Sequence, residues 1–308
     1  MNFQRTLKRP VRISGVGLHS GKEINLLVKP ARPNRGIVFV RTDLPGSPEI
    51  AANFNNVVST QLATTLGRGK VTVSTVEHLM AALQGLDIDN AIIEVDAPEV
   101  PILDGSSVLF CEALEAGGVI SQIQPRARLS LRRRVELKVD EKWAVAEPSS
   151  RLEIHASVEF DHPSIGYQEF KYIEGKTSFA ELSTARTFGF LREVEALKAM
   201  GLARGGSLEN CVVLDDALIL NPEGLRSPDE FVRHKVLDAL GDFKLAGIAI
   251  QAHIRLHRAG HDIHRQLLSA IFANPDNYEI IDGTPEEYSQ PSAARAVFAV
   301  ARTLVASV

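Results

Sequence analysis

The stretch EFVRHKVLDALGD places His234, Asp238 and Asp242 four residues apart, and on an α-helix residues at that spacing stand above one another on one face. An imidazole and a carboxylate stacked in this way can share a cation. Phe231, Val232, Val236, Leu237, Leu240 and Phe243 fall on the other side and supply a core face. A solvated His/Asp pair has the same spacing, so a metal centre needs a third ligand from elsewhere. His78 is the candidate, because its neighbours Ser74, Thr75, Ala81 and Ala82 are small and leave room for another element to approach. Two histidines and one carboxylate leave a position open on a tetrahedral zinc, the pattern of catalytic rather than structural sites. Glu77 precedes His78, where a base for an activated water would be wanted. It also stands three residues after Ser74, the spacing of a capping box, and spacing alone leaves both roles open. The protease motif HExxH is absent, and its inverted form would need a histidine at position 74, which is Ser74.

A second group, His253, His257, His261 and His264, could suggest a metal-storage site. Alternation argues otherwise: His253 and His257 share the polar face of a strand with Gln251 and Arg255. His261 follows Gly260 in a loop at the strand end, a place suited to a functional side chain. The pattern gives His264 no role.

The elements that must position these residues can be read from punctuation and periodicity. Residues 24–28 and 37–41 alternate as strands, and a helix then runs from a cap at Ser74 through Val76, Leu79, Met80 and Leu83 to a stop at Gly85. A strand at 91–95 and a helix at 108–116 follow, and Gly117, Gly118 and Pro125 read as a linker. Strands at 129–145 and 152–160 open the second half. Its main helix starts from a capping box of Ser227 and Glu230, with Pro228 at the first turn, and closes at Gly247. In the next strand Ile248, Ile250, Ala252, Ile254 and Leu256 share a face, and a last core helix begins near Asp262. The expected fold is α+β: two similar two-layer domains, with helices packed on a sheet, covering residues 1–124 and 125–274. A helix and strand inserted near 187–214 add a βαβ-like segment to the second domain. Residues 275–308 read as a C-terminal extension, Ala-rich from Ser292 and expected to be a peripheral helix.

A net charge of −4 gives no general case for nucleic-acid binding, and the run Arg132 to Arg134 reads as a solvated strand face. No stretch of about 18 apolar residues suggests a membrane span. With only Cys111 and Cys211, no disulfide framework is expected, which fits a reducing cytoplasm.

Seven segments in one order, GVGLHSG, TVEHLMAAL, ILDGSS, ARTFGF, GGSLENCVVLDD, FVRHKVLDALGD and the GH pair Gly260–His261, resemble the zinc-dependent UDP-3-O-acyl-N-acetylglucosamine deacetylases of lipid A biosynthesis. The match runs from about Gln4 to Leu268. The resemblance implies an active site between the two domains, one zinc per chain on His78, His234 and Asp238, and Glu77 as the water-activating carboxylate. It implies His261 as general acid supported by Asp242, with Lys235 and Thr187 at the reacting centre. An apolar passage for the acyl chain would be lined by Leu18, Phe188, Val194 and Val213, four residues that composition alone would assign to core. Asp262, Ile263 and His264 depart from the family pattern, and the tail beyond Pro275 has no counterpart. The implied reaction is hydrolysis of the acetamide of a UDP-linked, 3-O-acylated glucosamine by a cytoplasmic monomer, and iron would suit the donor set as well as zinc. A catalytically silent sugar-nucleotide or lipid carrier on the same fold is the alternative. Its mark would be loss of Glu77, His261 or a ligand, and none is lost.

Overall fold

The computed structural model describes residues 3–281. In the first half, apolar segments pair into a five-stranded sheet in the order Val11–Val16, Glu23–Pro30, Ala91–Val95, Ile37–Arg41, Glu49–Ala51. Ile37–Arg41 is buried along its whole length and runs parallel to Ala91–Val95, as expected of a strand with no solvent face. The crossover between them carries a three-stranded sheet and helix α1 (Glu77–Gly85), while α2 (Val108–Gly117) packs on Val11–Val16.

The second half begins where a linker was expected. The chain instead forms a strand, Val119–Pro125, paired antiparallel with Phe3–Leu7. Its seven-stranded sheet centres on Ala249–His257, in which Ile250, Ala252, Ile254 and Leu256 are buried and alternate with half-buried positions. After α3 (Phe179–Leu182), the parallel pair Phe188–Phe190 and Val212–Leu214 flanks α4 (Leu191–Ala199), which is the βαβ-like insertion. A small core of Ile165, Val212, Leu214 and Phe231 anchors it. Helices α5 (Glu230–Lys244) and α6 (His261–Ala273) complete the half. Beyond Pro275, the strand Tyr278–Ile281 pairs with Arg128–Leu131, so the sheet continues past the point where an extension was expected. The Ala-rich tail lies outside the described residues.

The helices of both halves meet in one continuous core, which joins Phe39 and Ile93 of the first sheet, Leu79 and Leu83 of α1, Leu237 and Leu240 of α5, and Ile254 of the second sheet. The amphipathic reading of α5 therefore needs a correction: all its residues except Arg233 and Lys235 are buried, because α1 covers the face that carries the histidine and aspartates. The crossing is close. A β-carbon on Gly241 would stand 2.0 Å from the backbone oxygen of Glu77, so a residue without a side chain is required there.

Neither predicted capping box forms. Thr75 has φ 57°, a left-handed conformation costly for a β-branched residue, and this breaks the helix before Ser74 can cap it. The Ser74 hydroxyl oxygen accepts a hydrogen bond from Thr65 Oγ1 instead. At α5 the cap position falls on Asp229, and the Glu230 side chain turns inward.

Candidate active site

The α1–α5 crossing brings His78 and Glu77 of one helix against His234, Asp238 and Asp242 of the other, and none of the five is more than 4% exposed. Nε2 of His234 lies 3.3 Å from Asp238 Oδ1, and Nε2 of His78 lies 3.6 Å from the same oxygen. The imidazoles stand edge to face, 5.0 Å apart. Nδ1 of His234 is 3.0 Å from the backbone oxygen of Ala185. A carbonyl can only accept, so that nitrogen carries the proton and the Nε2 lone pair faces Asp238.

Burial outweighs the nearby Asp238 charge and lowers His234 to about 3, which keeps it a neutral donor. Burial alone would raise Asp238, but the adjoining His234 imidazole and the Lys235 ammonium hold its carboxyl well below the usual range. Its Oδ1 is buried without a hydrogen-bond partner, while Oδ2 accepts from Lys235 Nζ at 2.9 Å. A buried anionic oxygen facing two imidazole nitrogens is costly unless a cation joins them. The three ligand atoms lie within 4.8 Å of one another, and the donor set fits a divalent metal.

On the far side of Glu77 is a second cluster. Asp242 Oδ2 receives Nδ1 of His261 at 2.7 Å and Nδ1 of His264 at 2.8 Å. Nε2 of His261 then points back to Glu77 Oε1, 3.8 Å away. Burial would lower His261, but the charge and hydrogen bond of Asp242, with Glu77 and Asp238, raise it to about 10. Burial would raise Asp242, but His261 and His264 bring it down to about 2. For Glu77, burial pushes the carboxyl up and the neighbouring histidines only partly offset this. Its Oε2 accepts the backbone N–H of Thr64 at 3.0 Å, so the side chain reaches into the site and not back along its helix.

The remaining predicted residues gather more loosely. Lys235 also lies over the Phe188 ring, 5.3 Å from its centre, and Phe188 stands edge-on to Phe231 and to His234. Thr187 is two residues beyond Ala185, its backbone N–H donating to Gly105 O at 2.7 Å. Val213 is half-buried in the inserted pair, and Val194 half-buried on α4. Leu18 is half-buried on a loop that meets residues 204 and 205 of the insertion. The four-histidine group is divided: His257 stacks on Trp143 on the strand, whereas His261 and His264 belong to the Asp242 cluster.

Three participants escaped the sequence reading. Thr64 donates its hydroxyl to Asp242 at 2.6 Å and its N–H to Glu77, joining the two carboxylates. Ala185 acts only through its backbone, and His264 needs Asp242, 22 positions earlier, to acquire a role. Local patterns signal none of these.

The family model described as LpxC, UDP-3-O-acyl N-acetylglycosamine deacetylase, matches residues 4–273. A Myxococcus xanthus relative named UDP-3-O-acyl-N-acetylglucosamine deacetylase is 49% identical over 285 residues, 92% of this chain and 91% of its own length. A Geobacter relative of the same name is 46% identical over 293 residues, covering 94% of this chain and 96% of its own, and one from Shewanella sp. strain W3-18-1 is 44% identical over 303, covering 96% and 99%. With nearly the whole chain matched, the protein belongs to the UDP-3-O-acyl N-acetylglycosamine deacetylase family.

Proposed function

We propose that this enzyme removes the N-acetyl group from UDP-3-O-acyl-N-acetylglucosamine through a single zinc centre on His78, His234 and Asp238. A zinc ion bound there would polarise the amide carbonyl and lower the pKa of an attacking water. The protein's own groups supply the proton movements. Glu77 Oε1, the oxygen not engaged by Thr64, takes a proton from the water as it adds to the acetamide carbon. Thr187 hydrogen-bonds the oxygen on which negative charge develops. His261 gives its Nε2 proton to the amide nitrogen as the C–N bond breaks, and acetate and a free amine leave. Asp242 and His264 keep His261 oriented, with its other nitrogen occupied. Lys235 contacts the substrate beside the metal.

The observation that carries this reading is the 3.8 Å approach of His261 to Glu77, next to a buried oxygen of Asp238 that lacks a partner. A base, an acid and a cation site thus face one reacting centre. Leu18, Phe188, Val194 and Val213 form the acyl passage in this reading. Their half-burial supports it, as does the apolar surface of the insertion, where Leu191 and Met200 are 48% and 60% exposed. We read the enzyme as a cytoplasmic monomer, and among the described residues no helix is long and apolar enough to cross a membrane.

Glu77→Gln tests the assignment, because it keeps the size and one hydrogen-bond acceptor but takes no proton. It is expected to fold, retain zinc and lose at least ~10²-fold in kcat. Turnover within a few-fold of the parent would return Glu77 to a structural role.

A further inference from the structure

Residues 183–187 are tied to the centre through their backbone, directly at His234 and by way of Ser107 at His78. Ala185 O meets His234 Nδ1, and Thr187 N–H donates to Gly105 O at 2.7 Å. Ser183 O accepts from Ser107 N–H at 2.9 Å, and the hydroxyl of Ser107 donates to the backbone oxygen of His78 at 2.7 Å. This strap therefore reaches both histidines from outside. Its one charged residue, Arg186, is 2% exposed and faces Glu230, which is fully buried at the start of α5.

Both oxygens of Glu230 are filled. Oε1 accepts Arg186 N–H at 3.0 Å and Nε at 2.9 Å, and Oε2 accepts Arg186 Nη2 at 3.1 Å and Arg226 N–H at 2.7 Å. The guanidinium also reaches Glu223 at 2.6 Å and Gly224 O at 2.7 Å. His234 lies one turn after Glu230, on the same helical face. An apolar pair could fill this volume, but it could not bind the backbone N–H groups of residues 186 and 226.

We infer that Arg186 and Glu230 are positioning residues for the metal centre: their pairing clamps the 183–187 strap to α5, so that the Ala185 carbonyl holds His234 in its metal-binding tautomer and Thr187 stays in place. The inference rests on the ligand set proposed above.

The double variant Arg186→Met/Glu230→Leu removes both charges and leaves neither buried alone. Chelator competition with Zn²⁺ is expected to show ~10- to 100-fold weaker binding, the range for losing a group that orients a ligand. The kcat should fall by a similar factor while KM moves only a few-fold, and ¹⁵N spectra should show His234 no longer held as the single Nδ1–H tautomer. Parent-like zinc affinity, kcat and His234 signals in a cooperatively melting variant would overturn the latch. Glu230→Gln, which keeps the shape but presents an N–H₂ where an acceptor is needed, is expected to shift the same readouts by a smaller factor. If the double variant does not fold, this single one decides. His234→Ala serves as the companion: if it loses zinc while the latch variants keep it, the latch alone fails. If it binds zinc like the parent, the ligand set and the latch both fail.

Discussion

The α1–α5 crossing and the inserted segment hold their side chains in different ways. In α5 only two residues reach solvent, and Gly241 lets its backbone press against that of α1. In α4 no residue is buried, and the insertion rests on a core of four side chains. Metal ligands and proton carriers must keep their geometry to a fraction of an ångström, which rigid, crossing helices provide. A passage for a flexible chain needs apolar surface more than fixed atoms. In the proposed reading, chemistry belongs to the tightly packed crossing and substrate selection to the exposed insertion.

Removing a ligand should break the rigid region most completely. Asp238→Ala is expected to lose bound metal and all measurable turnover, and near-stoichiometric zinc in that variant would dissolve the distinction at its centre. Next comes the adaptable region. UDP-N-acetylglucosamine lacking the 3-O-acyl group should be processed at least ~10³-fold less efficiently in kcat/KM, equivalent to ~4 kcal/mol from apolar contacts made outside the reacting atoms. Equal efficiency for both substrates would remove the passage from the comparison.

A pH profile sharpens the rigid side further. As the proposed acid His261 must be protonated, so activity is expected to be lost as pH rises through its pKa, which Asp242 helps lift to about 10. With Asp242→Asn the charge is gone while burial remains, and the basic limb of kcat/KM should move down by more than ~1 pH unit. An unmoved limb would assign the acid to another group. The smallest effect is expected from Val213→Trp, which narrows the passage. Activity on the acylated substrate should fall roughly tenfold, equivalent to ~1.4 kcal/mol and within the range for overpacking, with the residual activity on the unacylated sugar unchanged.

Much of the plan was legible. The strand 91–95 and the alternation of 249–257 stand where period two put them, because one face of each must be buried. The four-residue spacing placed His234, Asp238 and Asp242 on one face for equally local reasons. Both capping boxes misled. A Ser and a Glu three apart satisfy the pattern whether or not the backbone between them is helical, and at Thr75 it is not. The same pattern left the role of Glu77 open by spacing alone and concealed Glu230 facing Arg186. The linker reading failed because Gly and Pro mark strand ends as readily as domain joints.

The sequence by itself determined the donor types, their spacing within each helix and the apolar periodicities that bury those helices. Only the tertiary structure decided that α1 would cover the polar face of α5, that Thr64 would join two carboxylates 165 positions apart (Glu77 and Asp242), and that the Ala185 carbonyl would fix one imidazole. The physical reason is that a side chain's rotamer preferences and helical position are local, whereas its burial, pKa and hydrogen-bond partner depend on what another part of the chain brings against it.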